Sequence, residues 1–148
     1  MRVVTWNINS VRLRIKSVRR VVKKLNPDIL CLQETKCLKE DFPFKDFKRM
    51  GFLQTEAYGI KGYNGVSISS KIPIVSFNKT IFCNKDDARH INIELLYQKK
   101  KINIHNFYIP AGGDEPNPKI NEKFKHKLQF LDEACLLYTS PSPRDSNL

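Results

Sequence analysis

Ile29-Leu30-Cys31-Leu32 is an unbroken apolar run that ends abruptly in Gln33-Glu34-Thr35-Lys36. A strand with one wet face alternates apolar and polar residues, whereas a strand apolar throughout needs cover on both faces. A chain built around such a strand must place a layer on each side of it. The flanking sequence supplies candidates. Arg2 to Ile8 is a short β-branched run, and Ser10 then precedes Val11, Ile15, Val18, Val22 and Leu25, which recur at helical spacing. Arg12, Arg19, Arg20, Lys23 and Lys24 fill the opposite face. Asn26-Pro27 should stop this helix, because a residue before proline is pushed out of the α region. The chain therefore opens strand, amphipathic helix, buried strand.

Phe42, Phe44 and Phe47, followed by Gly51 as a C-cap, predict a short helix within 38–50. Strand-like stretches then follow at 52–58, 66–70, 74–77, 89–95 and 102–109, several alternating with period two. Asn64-Gly65, Ile72-Pro73, Asp86-Asp87 and the Lys99-Lys100-Lys101 tip break them where antiparallel hairpins would turn. Residues 110–118 read as a loop. Ile120, Phe124, Leu128, Leu131 and Cys135 mark a second amphipathic helix reaching about Leu137. The pattern predicts one layered α/β domain with much antiparallel pairing and no internal repeat.

The net charge is +11, which concentrates polyanions around the chain and makes their binding salt-dependent. Nucleic acid is the natural partner. No apolar stretch approaches the roughly 18 residues needed to span a bilayer, so a membrane is not expected as a partner. Met1-Arg2-Val3-Val4-Thr5-Trp6-Asn7 turns polar too early for the apolar region of a signal peptide, which predicts a cytoplasmic protein. Cys31, Cys37, Cys83 and Cys135 contain no CxxC pair, and Cys31 and Cys135 sit in apolar runs where a thiol acts as a small hydrophobe. A disulfide framework or a zinc site is not predicted.

Asn7, Glu34 and Tyr108 share one placement, each at the C-terminal end of an apolar strand-like run. In sheet-based α/β folds those ends open into the crevice where ligands bind. A carboxylate beside a buried strand is costly unless a metal or hydrogen bonds compensate it, which makes Glu34 a metal-ligand candidate. Magnesium takes hard oxygen donors and keeps waters and substrate phosphate in its remaining positions, so one or two such side chains suffice. Taken singly, each residue has a second reading: Glu34 as a helix cap or surface charge, Asn7 as a turn residue, Tyr108 as a core aromatic with a satisfied hydroxyl.

The wording around these positions narrows the choice. Trp6-Asn7-Ile8-Asn9-Ser10-Val11-Arg12, Leu32-Gln33-Glu34-Thr35-Lys36 and Asn106-Phe107-Tyr108-Ile109-Pro110-Ala111-Gly112-Gly113 resemble, in order, the opening motifs of the exonuclease III family. Asp87-Ala88-Arg89-His90 and Gly113-Asp114-Glu115-Pro116-Asn117-Pro118 resemble its bacterial members. That family lies in the endonuclease/exonuclease/phosphatase superfamily. The resemblance implies a four-layered α/β sandwich, of which residues 1–137 would form the N-terminal half. It also implies a DNA-repair nuclease of base excision repair, monomeric when full length. Such an enzyme hydrolyses phosphodiesters with magnesium, or manganese in its place. It acts at abasic sites in duplex DNA and removes nucleotides from 3′ ends as a 3′-to-5′ exonuclease. Carried over by motif, Glu34 binds the metal with support from Asn7, and Tyr108 orients or stabilises the attacked phosphate. Asn9, Lys36 and Arg89 become phosphate contacts, and Tyr63 and Asn64 of the Gly62–Gly65 turn face DNA.

The family's later motifs have no counterpart in the sequence: Gly-Asp-x-Asn with the general base, a downstream aspartate and a closing Ser-Asp-His. Gly113-Asp114-Glu115-Pro116-Asn117 has the wrong spacing and already matches the loop after Tyr108. His90, His105 and His126 lie in segments matched elsewhere, and are read as structural or surface residues. Residues 138–148 read as an unrelated tail, since Thr139 to Asp145 resembles a translated sequencing adaptor and predicts an artificial terminus. A half sandwich would expose an apolar sheet face and unpaired strand edges and would lack turnover. The rival readings are a basic DNA-binding remnant without catalysis, and a superfamily phosphodiesterase acting on a phosphoinositide, sphingomyelin or RNA.

Overall fold

A computed structural model describes residues 1–139, the last two as backbone only. By their internal contacts these residues form two compact units, Met1–Ile81 with Asp87–Tyr108, and Phe82–Asp86 with the chain from Ile109 onward.

In the first unit the opening is strand, helix, strand: β1 (Val3–Asn7), α1 (Ile15–Leu25) and β2 (Ile29–Gln33). α1 starts four residues later than its apolar spacing predicts. Asn9 and Ser10 have left-handed backbones, and the Val11 amide donates to the Thr35 carbonyl, so residues 9–11 are tied to the next loop instead of entering the helix. Val11 is buried all the same. The helix predicted within 38–50 divides at Pro43 into a 3-10 turn, Lys39–Asp41, and α2 (Phe44–Arg49). Gly51 follows at φ +101°, the left-handed conformation expected just past a helix end.

Five strands follow: β3 (Gln54–Tyr58), β4 (Val66–Ser70), β5 (Ile74–Asn78), β6 (His90–Tyr97) and β7 (Lys100–Phe107). They sort into a sheet of order β1-β2-β4-β3, parallel only between β1 and β2, and an antiparallel sheet of order β5-β6-β7. Two turns differ from expectation. Ile72-Pro73 does not close a hairpin, because β4 and β5 belong to different sheets and the link crosses between them. The β6–β7 hairpin turns at Gln98-Lys99, both with positive φ, leaving Lys100 and Lys101 inside β7. Two successive left-handed residues match the right-handed twist of the strands they join.

β2 is buried along its whole length, as its composition demands. Leu30 and Leu32 join Val18 and Val22 of α1 and Phe47 of α2 in one cluster, while Ile29 and Cys31 pack with Val66, Ile68, Ile91, Ile93 and Leu95 between the sheets. β4 lies over β6 and β7, and β2 over β7. This unit therefore stacks a helical layer, a mixed sheet and an antiparallel sheet. Among the described residues no helix is long and apolar enough to cross a membrane.

The second unit centres on α3 (Glu122–Thr139), which ends two residues beyond the predicted limit. Asn121 is its N-cap, its Oδ1 accepting from the amides of Lys123 and Phe124 at 3.0 and 3.4 Å. That cap leaves Ile120 outside the helix and exposed. The buried positions of α3 are Phe130 and Ala134, not Leu128 and Cys135, because the Phe130 ring seats on Phe82 at 4.7 Å and sets which side turns inward. Cys135 is correspondingly exposed, against the expectation of a small buried hydrophobe. The expectations for the tail from Ser140 on lie outside the described residues.

Candidate functional site at the strand ends

Glu34 follows β2 directly, Asn7 is the last residue of β1, and Tyr108 follows β7, so one sheet supplies two of these groups and the other sheet the third. Glu34 and Lys36 both adopt φ +56°. For residues with a Cβ this conformation costs on the order of 1–2 kcal/mol each, and it persists only where surroundings over-determine it. They do. On one side the Ser10 amide donates to the Glu34 carbonyl at 2.8 Å; on the other the amides of Thr35 and Lys36 donate to the carbonyls of Gly65 and Asn64 at 3.1 and 2.9 Å. Thr35 is buried between them, and a Cβ at Gly65 would stand 2.2 Å from its Oγ1. The turn through Asn64 and Gly65 is thus the clasp that holds the Glu34 loop.

The Glu34 carboxylate is the hub. Tyr108 Oη donates to its Oε1 at 2.6 Å, the Asn7 amide side chain hydrogen-bonds it, and Lys36 Nζ lies 3.8 Å from Oε2. These partners hold its pKa below the ordinary value, the Tyr108 bond foremost, against a smaller opposing effect of burial. Glu34 is therefore an anion at neutral pH. Tyr108 moves the other way: burial, and then the bond to Glu34 and its charge, push its phenol up to about 12. It remains a proton-bearing donor.

Contacts from neighbouring side chains fix these groups. Lys36 Nζ donates to Asn9 Oδ1 at 2.6 Å. Arg89 sits with its guanidinium 5.0 Å from the Tyr108 ring centre, donates from Nε to Asp87 Oδ2 at 2.6 Å and from Nη1 to the Tyr108 carbonyl at 3.3 Å. Asn7, Asn9, Glu34, Lys36, Arg89 and Tyr108 are in this way brought into one linked group. Asn64 is buried, its amide donating to the Asp87 carbonyl at 2.7 Å, so its side chain is turned inward while neighbouring Tyr63 is 59% exposed.

Three residues of this region carry site roles that the sequence motifs alone do not assign. Asp87 orients Arg89. Asn106 and Gln33 form a buried polar joint between the sheets: Asn106 Nδ2 donates to the carbonyls of Leu32 and Ser67, both at 2.9 Å, and Gln33 Nε2 donates to Asn106 Oδ1 at 2.7 Å and Thr5 Oγ1 at 2.9 Å. A signal existed. Ile102, Ile104 and Asn106 share one face of β7, as Ile29, Cys31 and Gln33 share one face of β2, so each apolar face ends in a polar residue that needs a buried partner.

Among the described residues no group of three or more His, Cys, Asp or Glu side chains could hold a metal. Magnesium does not need one. An ionised carboxylate and an amide side chain in mutual contact offer hard oxygen donors of the kind it takes alongside water and phosphate. Glu34 and Asn7 fit that requirement.

A sequence profile of the endonuclease/exonuclease/phosphatase family matches residues 4–147. The chain belongs to this family. It is 28% identical over 134 residues to exodeoxyribonuclease III of Haemophilus influenzae, covering 87% of this chain and 50% of that protein. Among solved structures, an AP endonuclease from Archaeoglobus fulgidus superposes with a TM-score of 0.78 at 34% identity, over 95% of this chain and 52% of the other. A 3′ phosphatase from Neisseria, bound to a product DNA hairpin, gives 0.75 at 29% identity over 89% and 49%. This member of the endonuclease/exonuclease/phosphatase family thus spans about half the length of each of these three relatives. Its two-sheet α/β architecture is that of the family.

Proposed function

We propose that this chain carries the metal- and phosphate-binding part of a DNA-repair nuclease that hydrolyses phosphodiesters at abasic sites and 3′ ends. The observation that carries the reading is the 2.6 Å bond between Tyr108 Oη and Glu34 Oε1, which joins the two sheets where their strand ends meet. Support comes from relatives named as an exodeoxyribonuclease III and an AP endonuclease.

Glu34 and Asn7 would hold a magnesium ion, which when bound offsets charge on phosphoryl oxygens. The chain's own residues supply the rest. Glu34 stays ionised because Tyr108, Asn7 and Lys36 surround it. Tyr108, its proton retained, presents a fixed donor beside the carboxylate, and fixed donors stabilise developing negative charge without reorganising. Lys36, Asn9 and Arg89 would receive backbone phosphates, with Asp87 and the Tyr108 ring holding the guanidinium in place. Tyr63 would meet DNA from the exposed turn, with Asn64 contributing by locking that turn.

Hydrolysis needs a base to take the attacking water's proton and an acid to give one to the leaving oxygen. Glu34 is bound to three partners and Asp87 to Arg89, and the Gly-Asp-x-Asn and Ser-Asp-His motifs are absent from the sequence. The purified chain is therefore expected to bind an abasic-site duplex in a magnesium- and salt-dependent manner without cutting it. Gel analysis of end-labelled duplex, with anisotropy on the same samples, measures both. Robust magnesium-dependent cleavage lost in Glu34→Ala would overturn the expectation that the chain does not cut, and equal binding by wild type and Glu34→Ala with and without magnesium would overturn the metal assignment.

A further inference from the structure

α1 carries Lys16, Arg19, Arg20, Lys23 and Lys24 and no acidic residue in its eleven positions. Like charges four apart on a helix repel, and three such pairs occur here: Lys16 with Arg20, Arg19 with Lys23, and Arg20 with Lys24. Lys23 and Lys24 in the last turn complement the helix dipole, but the other three do not. Among the described residues a single ion pair relieves the helix, Arg19 to Asp46 of α2.

Arg19 and Lys23 also do not stand on an open surface. They wall a cleft of about 360 Å³ together with Arg49 from the end of α2 and Lys71 from the turn after β4, over Val22 and Met50. Among the described residues no carboxylate lines it, although the Arg19 guanidinium is already paired with Asp46. Lys71 Nζ donates to Asn26 Oδ1 at 2.7 Å and sits 5.7 Å from the Phe52 ring centre, so its charge is fixed in position. Four cations from three elements thus converge on a concave, partly apolar space of the size that small ligands occupy, roughly 300–1,000 Å³.

This cleft is separate from the Glu34 end. Ile29 pairs with Ser70 at one end of β2 and β4, and Gln33 with Val66 at the other. Lys71 continues the first end, its amide donating to the Asp28 carbonyl at 2.9 Å, while Glu34 and Gly65 continue the second. Five residues of strand at about 3.3 Å each put roughly 13–17 Å between those ends.

We propose that the cleft between α1, α2 and the β4–β5 turn is a second anion site that takes a phosphate ester, with Arg19, Lys23, Arg49 and Lys71 around the oxygens and Val22 and Met50 against the apolar part. The ester is either a backbone phosphate of DNA or a free nucleotide. The site does not depend on the chemistry assigned to Glu34.

The test uses the whole chain and amide-resolved NMR, titrating first inorganic phosphate, then a deoxynucleoside 5′-monophosphate, then a short duplex. Saturable shifts are expected at Lys23, Asn26, Arg49 and Lys71. Arg49→Gln combined with Lys71→Gln should weaken monophosphate binding on the order of tenfold, and the spectrum itself shows whether the variant is folded; Arg49→Gln alone, at an exposed helix end, serves if it is not. If the ester belongs to DNA, the double variant also lowers the slope of log affinity against log salt by about 1–2; an unchanged slope assigns the site to a free ester. Shifts confined to Asn7, Glu34, Lys36 and Arg89, or unaltered affinity in the folded variants, would overturn the proposal. Loss of the Glu34-end shifts with this cleft intact would instead bear on the nuclease reading alone.

Discussion

Replacing Asn106 with alanine should be among the most destabilising single changes available in this chain. Asn106 is 3% exposed and makes three hydrogen bonds, two from its Nδ2 to the carbonyls of Leu32 and Ser67 and one accepted from Gln33. Each bond contributes about 1 kcal/mol net, and a buried partner left without one costs about 1–3 kcal/mol. Gln33 keeps Thr5 as a partner, which tempers the loss. The sum is roughly 3–5 kcal/mol, a large share of the ~5–15 kcal/mol that a domain has in all. Urea unfolding followed by tryptophan fluorescence measures it, since Trp6 lies on β1 beside β2. Asn106→Asp should be no milder than Asn106→Ala, because it sets a carboxylate against two carbonyl oxygens. A double-mutant cycle with Gln33→Ala should show coupling of about 1 kcal/mol. A cost below ~1 kcal/mol for alanine, or an aspartate variant more stable than the alanine one, would refute the role given to this joint.

Gly65→Ala should unfold at lower denaturant and loosen the Glu34 loop. It adds a Cβ 2.2 Å from Thr35 Oγ1 at φ +95°, and a loss of roughly 2–4 kcal/mol is expected; a stability within ~0.5 kcal/mol of wild type would contradict the clasp. His90 is buried, with Nδ1 accepting from the Thr80 amide and Nε2 meeting His105 Nδ1, each at 3.0 Å, and burial followed by the charge of His105 lowers its pKa to about 4. The unfolded chain protonates first, so stability should fall as pH drops from about 6.5 to about 4 and change no further from this cause below that. From the two pKa values the full effect is about 3 kcal/mol. Unfolding midpoints across that window, compared with His90→Asn, check it; parallel curves for the two proteins would show that His90 is not the cause.

The parts of the fold that were legible in the sequence are those where one period governs a segment. β2 had to be covered on both faces because Ile29 to Leu32 has no polar member, and it is covered by helices on one side and a sheet on the other. The placement of Asn7, Glu34 and Tyr108 at strand ends followed in the same way, since a change from apolar to polar marks where a strand leaves the core. Features set by long-range contact were not legible. Residues 9–11 carry helical spacing but are drawn into backbone bonds with Glu34 and Thr35, and nothing local to Val11 announces a partner in the next loop. Ile72-Pro73 has the chemistry of a turn, yet whether a turn closes a hairpin or crosses to another sheet depends on where the next strand finds its mate. The stripe of α3 was displaced because Phe82, remote in sequence, chose which side Phe130 would occupy. Asn106 and Gln33 were visible as polar residues on apolar faces, and only the facing of β7 on β2 turns that pattern into a joint.

The bond from Tyr108 to Glu34 also makes the phenol a gauge of alignment. Its two ends are fixed in different sheets, and a slide of one residue, about 3.3 Å, would separate the oxygens by more than the bond itself spans. Any ligand, substitution or solvent that shears one sheet along the other should break this bond and lower the pKa of the phenol, which the bond raises. The side chain at the C-terminal end of these strands would then double as a ruler for the register of the two sheets.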